Sequence, residues 1–339
     1  MSKFNPASAG NFELEKALEE LSSQGNGIPV TTGNVYYVIP STDGNYDEFI
    51  NKYQKIYLDG TFAVHNTIAS AYSAVTSNRH DVVMLSANAA HAQTSMLSIA
   101  KNRVHFVGFG LRFGSIGMGA RARVTIGVTV AATDLAVLQN TGVGNTFDNI
   151  KFDSGNTVTE GKYGVVEAGE YAIYRGCEFY LSSQLSVTGA AEVANNGDSA
   201  QFINCTFGSS ANETVGSIIR PCMLVTGGIV SGKKLRDGVI KDCLFLTKSA
   251  ATNRVDIYGA NATDVERMLL VKNSTFLSNA LGSATPAHAV GFGAAQTQGT
   301  VLLQDCVSVD HTVMAQASVG IFVAGSVATF ATTGVAKSA

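Results

Sequence analysis

Short stretches of alternating apolar and polar residues recur through the middle of the chain, and each follows one six-residue pattern. The pattern reads apolar, any, Asn/Asp/Gly, small or apolar, any, usually Phe. Its copies are Phe147–Phe152, Tyr174–Phe179, Phe202–Phe207, Ile240–Phe245, Val271–Phe276 and Leu303–Ser308. The fourth positions are 27, 28, 38, 31 and 32 residues apart. One short strand at each step of this size predicts a solenoid, in which extra residues form loops between the coils.

The pattern also predicts which side chains form the core. Asn, Asp or Gly at the third position tolerates the left-handed backbone of a tight corner. Strand side chains alternate, so positions four and six point to the same side and stack inside the coils. The predicted core ladder consists of Ile150, Cys177, Cys205, Cys243, Ser274, Cys306, Phe152, Phe179, Phe207, Phe245 and Phe276. This arrangement predicts an all-β parallel β-helix.

Helical periodicity is confined to the first quarter of the chain. A helix is predicted over about residues 12–21, with Leu14, Leu18 and Leu21 on one stripe. A second is predicted over about residues 67–76, between strands at Val35–Val38 and Asp81–Leu85. A β-helix core needs no such leucine stripe, so the stripe predicts a docking surface.

With these cap elements, the repeats resemble the right-handed parallel β-helix of the pectin-lyase-like type. Residues 101–108, including Val104-His105-Phe106, extend the likeness to the first coils. The resemblance covers about residues 35–310, with a cap and first coils at 35–100 and a β-helix at 101–310. The apolar patterns outside it predict a docking segment at 1–34 and an assembly tail at 311–339. The resemblance does not imply one activity, because this fold serves lyases, hydrolases, epimerases, adhesins and bacteriophage virion proteins.

Charge and composition exclude some classes of binding partner. The 339 residues carry 23 Lys+Arg and 26 Asp+Glu, a net charge of -3, which provides no field for nucleic acid or an anionic membrane. The first ten residues contain no apolar core of a signal peptide, and the apolar stretch 319–331 is too short and too interrupted to span a bilayer.

No cofactor or metal is predicted. Four of the five cysteines share one position of the repeat, which favours packing over disulfides; Cys222 lies outside it. The six histidines lack HxH or HExxH spacing, and the glycine-rich stretch 108–119 lacks a phosphate-binding motif.

The acids do not predict an active site either. Among the outward fifth positions only Glu178 is acidic, and Asp242 and Asp305 are predicted to lie two coils apart, about 10 Å, as corner residues. Further acids are assigned to loops, namely Glu167, Glu170, Asp198, Asp256, Asp264 and Glu266. The chain has no Trp to bind the face of a sugar ring. The sequence therefore predicts a protein that is not an enzyme.

The chain resembles the bacteriophage β-helix proteins that decorate a capsid or form part of a tail. The resemblance implies a virion structural protein, in particular a capsid decoration protein made in the host cytoplasm. Its expected partners are other virion proteins and further copies of itself, as in a trimer. Two alternatives stay open. One is a tailspike-like polysaccharide depolymerase or receptor-binding protein with a site between subunits. The other is an adhesin or secreted pectin-active enzyme, which the missing signal peptide disfavours.

Overall fold

The computed structural model describes residues 33–109, 121–126, 135–154, 162–181, 189–209, 220–227, 229–230, 232–248, 255–278, 285–317, 320–325 and 328–329. Two helices are described, α1 at Tyr46–Tyr53 and α2 at Ile68–Ala74. The first fourteen strands are β1 Val35–Val38, β2 Val64–His65, β3 Val82–Ser86, β4 His91–Gln93, β5 Leu97–Ile99, β6 His105–Phe109, β7 Ala122–Ile126, β8 Ala136–Asn140, β9 Thr146–Asp148, β10 Ile150–Asp153, β11 Tyr163–Glu167, β12 Ile173–Arg175, β13 Glu178–Tyr180 and β14 Ala191–Asn195. The remaining strands are β15 Gln201–Ile203, β16 Thr206–Gly208, β17 Met223–Val225, β18 Gly238–Lys241, β19 Leu244–Thr247, β20 Ile257–Gly259, β21 Met268–Lys272, β22 Thr275–Ser278, β23 His288–Phe292, β24 Thr300–Gln304, β25 Val307–Val309, β26 Val313–Ala315, β27 Ile321–Ala324 and β28 Ala328–Thr329.

The strands form three long parallel sheets, and successive strands of the chain visit the sheets in turn. Sheet A has the order β2-β1-β3-β6-β9-β12-β15-β18-β21-β24-β27. Sheet B runs β28-β25-β22-β19-β16-β13-β10-β7-β4, and sheet C runs β26-β23-β20-β17-β14-β11-β8-β5. Each coil therefore adds one strand to every sheet, which is the geometry of a parallel β-helix.

The six-residue pattern spans the corner between sheets A and B. Its third position adopts the left-handed backbone in every copy, with φ between 49° and 58°. The residues are Asn149, Gly176, Asn204, Asp242, Asn273 and Asp305. Asn, Asp and Gly tolerate this conformation better than other residues, which is why they recur there.

The residues of the predicted core ladder lie inside the coils, each with at most 3% of its surface exposed. The rings stack in register on sheet B, with centroids 4.6 Å apart for Phe207 and Phe245 and 4.7 Å apart for Phe245 and Phe276. A second column stands on sheet A, where Tyr174 lies 4.6 Å from Phe147 and 4.9 Å from Phe202. These columns bury large apolar rings at the contact distances of offset stacks.

The inner face of sheet C is partly polar. Glu167 pairs in register with Asn140 on one neighbouring strand and with Asn195 on the other, and all three are fully buried. The carboxylate accepts hydrogen bonds from the Tyr174 hydroxyl at 2.6 Å, the Gly169 amide at 2.6 Å and the Asn140 side chain at 2.9 Å. Glu167 was assigned to a loop from the sequence; it lies at the end of β11, facing the core.

The N-terminal end of the solenoid is covered mainly by α2. Thr67 caps this helix through the Ser70 amide, and Ile68 packs fully buried in the core, with Tyr72 half-buried beside it. The helix is shorter at both ends than predicted. The sequence did not predict α1, which packs Phe49 against the outer side of sheet A.

The termini differ from the expected division at residue 310. Strands β26, β27 and β28 add further rungs to sheets C, A and B, so the described part of the predicted tail belongs to the solenoid. The predicted helix with Leu14, Leu18 and Leu21 lies outside the described residues. Within the described parts, no helix has the length and apolar character needed to cross a membrane.

Candidate functional site

The most chemically varied surface of the described chain is the outer face of sheet B near β7, β10 and β13. Inward residues of these strands are core, so the residues between them point outward. Register pairs Arg123 with Lys151 and Lys151 with Glu178, and it also pairs Asp153 with Tyr180. Arg121 joins them from just before β7. Charged and aromatic side chains from three coils therefore meet on one flat face.

Ion pairs fix the charged side chains of this face. Lys151 Nζ lies 2.6 Å from Glu178 Oε1, and Arg121 Nη1 lies 2.9 Å from Glu178 Oε2. Arg123 Nη2 lies 2.7 Å from Asp153 Oδ2. Glu178 keeps about a quarter of its side chain exposed, whereas Asp153 is almost fully buried beneath Arg123. The face thus offers one accessible carboxylate beside three cations.

An open groove of about 370 Å³ continues from these charges onto the next coils. It is lined by Lys151, Glu178, Tyr180, Thr206, Gly208, Ser209 and Leu246. The ammonium of Lys151 lies 4.6 Å from the centroid of the Tyr180 ring and orients it.

Glycine is required on the floor of this groove. Gly208 has φ +81°, and an added Cβ would lie 2.2 Å from the Leu246 carbonyl oxygen. The same Cβ would lie 2.9 Å from Cys222 Sγ, so no larger residue fits here without a shift of the next coil.

The sequence missed one of the two acids here. Asp153 is the seventh residue of its repeat, one beyond the pattern, but alternation places it outward. Asp153 and Glu178 lie on neighbouring strands and two residues apart along them, so their Cα atoms are about 8 Å apart. The sequence prediction considered only the fifth position of each repeat, where Glu178 is the single acid. The seventh position also points outward, and including it would have identified Asp153. The residue in register with Lys151 on the preceding coil is Arg123.

The other sequence-predicted acids do not converge. Asp242 and Asp305 occupy left-handed corner positions, as predicted. Glu170, Asp198 and Glu266 lie along the corner between sheets C and A, where they pair with Lys233 or Arg236. Asp256 and Asp264 are buried.

A Ser-His-Asp arrangement lies inside the last coils. Ser308 Oγ is 3.1 Å from His311 Nδ1, and His311 Nε2 is 3.0 Å from Asp256 Oδ2. Thr247 donates a hydrogen bond to Asp256, and Cys222 Sγ lies 3.8 Å from the same carboxylate. All of these side chains are fully buried, so the arrangement does not face a substrate.

A second polar cluster lies on the outer face of sheet A. His105 Nδ1 is 3.0 Å from Thr146 Oγ1, and Arg175 holds Asp148 at 2.5 Å. Burial lowers the pKa of His105 to about 4 and raises that of Asp148. Both are almost fully buried, so they offer little accessible chemistry.

The cysteines and metal-ligand residues give no further site. All five cysteines are buried free thiols, and burial raises the pKa of Cys205 and Cys306. The described residues contain no group of three or more His, Cys, Asp or Glu side chains suited to a metal ion.

Fold and face together define a right-handed parallel β-helix protein with an open polar groove on one flat side, which confirms the predicted fold class. No family model and no curated protein matches the sequence.

The likeness lies in structure alone. The chain superposes on the pectin methylesterase from Aspergillus niger with a TM-score of 0.52 and 14% identity, covering 82% of this chain and 85% of that one. The match to pectate lyase Pel9A has a TM-score of 0.53 and 13% identity, covering 89% and 78%. PemA from Erwinia chrysanthemi, a pectin methylesterase, gives 0.50 and 11%, covering 84% and 81%. At such identities the likeness establishes the fold.

The prediction that the chain is not an enzyme is wrong. The solved structures on which the chain superposes are pectin methylesterases and a pectate lyase, which are enzymes. The argument from the acids fails as well, because it assumed that Glu178 is alone on its face. Asp153 shares that face.

Proposed function

We propose that the protein binds a cell-surface polysaccharide along the groove on sheet B and hydrolyses it. The observation that carries this proposal is the pairing of an accessible carboxylate, Glu178, with a second one, Asp153, beside the exposed groove. The Cα atoms of the two acids are about 8 Å apart, and inverting glycosidases hold their two carboxyl groups about 6.5–9.5 Å apart. Pectin methylesterases and a pectate lyase share the fold, which supports a polysaccharide substrate.

Each groove residue has a role in this proposal. Tyr180 offers an apolar ring surface to a sugar, and the groove continues past Gly208 for further sugars. Lys151 and Arg121 donate hydrogen bonds to sugar oxygens from the positions in which Glu178 holds them. In an inverting hydrolysis one carboxyl protonates the leaving oxygen and the other activates water.

Arg123 controls access to the second acid. Its side chain is 53% exposed and lies over Asp153, which is 3% exposed. A bound sugar has to displace this guanidinium before the Asp153 carboxyl can reach the scissile bond. Glu178 lies in ion pairs with Lys151 and Arg121, so it is assigned as the base that accepts a proton from water. The protonated form of Asp153 is assigned to donate its proton to the leaving oxygen.

The test incubates the purified protein with capsule polysaccharide and lipopolysaccharide from candidate hosts and measures new reducing ends. We expect release that E178Q and D153N each reduce at least 100-fold, and an inverted anomeric configuration of the first product by NMR. The control variant E266Q removes an exposed acid from a distant corner and should retain full activity. Release that survives both E178Q and D153N would overturn the proposed site. Binding without release would overturn the hydrolysis.

We propose that the protein carries out this role on a bacteriophage particle, together with other virion proteins and further copies of itself, as in a trimer. Five free thiols suit synthesis in a reducing host cytoplasm. A structural role in the particle is a second candidate, and the outer face of sheet A favours it. There Val239, Leu270 and Leu302 form an apolar column that ends at the exposed Phe322. A column of this kind suits contact between copies of the chain.

The particle proposal is tested by mass spectrometry of purified virions and by light scattering of the isolated protein. We expect the chain in particles and an oligomer in solution that L302K converts to monomers. A monomeric wild-type protein, or its absence from particles, would contradict this part and leave the groove proposal standing.

A further inference from the structure

A tight hairpin at residues 55–63 projects from the N-terminal cap with three exposed apolar side chains. Ile56 is 65% exposed, Phe62 is 51% exposed and Leu58 is fully exposed at the tip. Ile56 and Phe62 form an antiparallel bridge, so they lie on the same face, and Leu58 projects from the turn between them. The hairpin therefore presents three exposed apolar side chains within nine residues.

The hairpin is held firmly in this position. The Tyr57 amide donates to the Thr61 carbonyl at 2.9 Å, and Arg79 pairs with Asp59 at 2.8 Å. On the opposite face, the Tyr57 ring packs edge-on against Tyr36 in the core, with centroids 5.5 Å apart. A fixed apolar tip in water is typical of a contact surface.

The described chain begins beside this hairpin. The Val35 amide donates to the Tyr57 hydroxyl at 3.1 Å, and the Asn34 side chain donates to Asp59 at 3.4 Å. Residues 1–32 therefore connect to the fold at the base of the hairpin. Eleven residues separate Leu21 from Gly33 and can span up to about 36 Å, which is ample to bring the leucine stripe to the tip.

Charge favours the same pairing. The segment with the leucine stripe carries four acids, Glu13, Glu15, Glu19 and Glu20, against one lysine, Lys16. The hairpin begins at Lys55, and Lys52 lies in the last turn of α1 just before it. The acidic segment and the lysines at the hairpin base are complementary.

We propose that the hairpin tip is the docking site of the chain's own segment 12–21, with Leu14, Leu18 and Leu21 covering Ile56, Leu58 and Phe62. A short tether gives the segment a millimolar effective concentration at the tip. A second copy or another protein at micromolar concentration binds the same tip less often. In this proposal the leucine stripe is buried against the chain's own hairpin. The sequence had predicted that it docks on another virion protein.

Disulfide trapping in the full-length protein tests the pairing. The double variant L18C/L58C is oxidised at low protein concentration and compared on a non-reducing denaturing gel, where the five native thiols are buried and do not compete. We expect most of the chain to form an intrachain cross-link. The matched control L18C/V313C pairs the segment with an exposed site on the last described strand of sheet C and should remain uncross-linked. Interchain products, or no product, would overturn the proposal.

Proteolysis provides a second measurement. The variant I56K/L58K changes only exposed side chains, so the solenoid should retain its folding stability. We expect protease cleavage within residues 1–32 to become at least tenfold faster, while V313K, at an exposed site on sheet C, leaves the rate unchanged. An unchanged rate in I56K/L58K would show that the segment does not dock on the tip.

Discussion

Glu167 makes the stability of the solenoid depend on pH in an unusual direction. Its side chain is fully buried on the inner face of sheet C. Burial raises the pKa of this carboxyl from 4.5 to about 7, although Tyr174, Asn140 and Gly169 donate hydrogen bonds to it. The folded protein therefore binds this proton more tightly than the unfolded chain does. The stabilisation that the folded state gains from this proton is complete below pH 4.5 and is lost as the pH rises through 7.

The size of the effect follows from the two pKa values. A pKa difference of one unit corresponds to about 1.4 kcal/mol. The change from 4.5 to about 7 then corresponds to about 3 kcal/mol between pH 4.5 and pH 8. Against a stability of about 5–15 kcal/mol for a typical domain, this is a large contribution from one residue.

The variant E167Q isolates the pH-dependent contribution of Glu167 to folding stability. Glutamine keeps the shape and can still accept the Gly169 hydrogen bond, but it does not titrate. Urea unfolding followed by circular dichroism measures the free energy of unfolding of both proteins from pH 4.5 to 8. All other carboxyls cancel in the difference between the two proteins. We expect wild type to lose about 3 kcal/mol relative to E167Q as the pH rises.

The control is E266Q, which removes an exposed acid paired with Arg236. Arg236 lowers the pKa of Glu266, so its contribution has the opposite sign and is lost as the pH falls through that lowered value. A difference between wild type and E167Q that stays constant over the whole range would refute the reasoning.

Three further changes test the packing. C243D should destabilise the fold by more than about 4 kcal/mol in urea unfolding, because an unpaired charge enters the ring-lined core; a loss below about 1 kcal/mol would contradict the ladder. G208A should lower the melting temperature and the polysaccharide affinity together, because its Cβ would meet the Leu246 carbonyl oxygen at 2.2 Å; unchanged values would show that the backbone adapts. I68K/Y72K should aggregate in light scattering because it uncovers the first coil, and a soluble, folded variant would argue against this cap.

The sequence predicted the part of the coil where the backbone conformation and the core packing both restrict the residue type. At the corner between sheets A and B, a left-handed residue such as Asn149 or Asn204 is followed by two inward core positions. Both demands restrict residue choice, so the pattern repeats visibly. Sheet C lacks this signature, because its inner face mixes valines with Asn140 and Glu167. Alternation alone could not assign that strand, and Glu167 was placed in a loop.

The site was harder to predict because outward positions are not restricted by packing. Lys151 and Glu178 occupy repeat positions that accept Thr, Leu or Val in other coils. Asp153 acquires meaning only through register, which places it beside Tyr180. Register depends on the lengths of the loops between coils, which vary by more than ten residues here. The helix α1 was missed for a similar reason, since its eight residues bury only Phe49.

Register also explains why Glu167 and Glu178 differ in their chemical behaviour. In a parallel stack each residue meets its register partners about 4.8 Å above and below, so a carboxylate is defined by those neighbours. Glu167 lies between two amides in the core, where no paired cation offsets its burial, and its proton affinity rises. Glu178 lies beside Lys151 on an open face, where its charge is paired and its oxygens remain accessible. A glutamate on the inner face of sheet C therefore makes folding stability depend on pH, whereas a glutamate on the outer face of sheet B remains accessible to solvent.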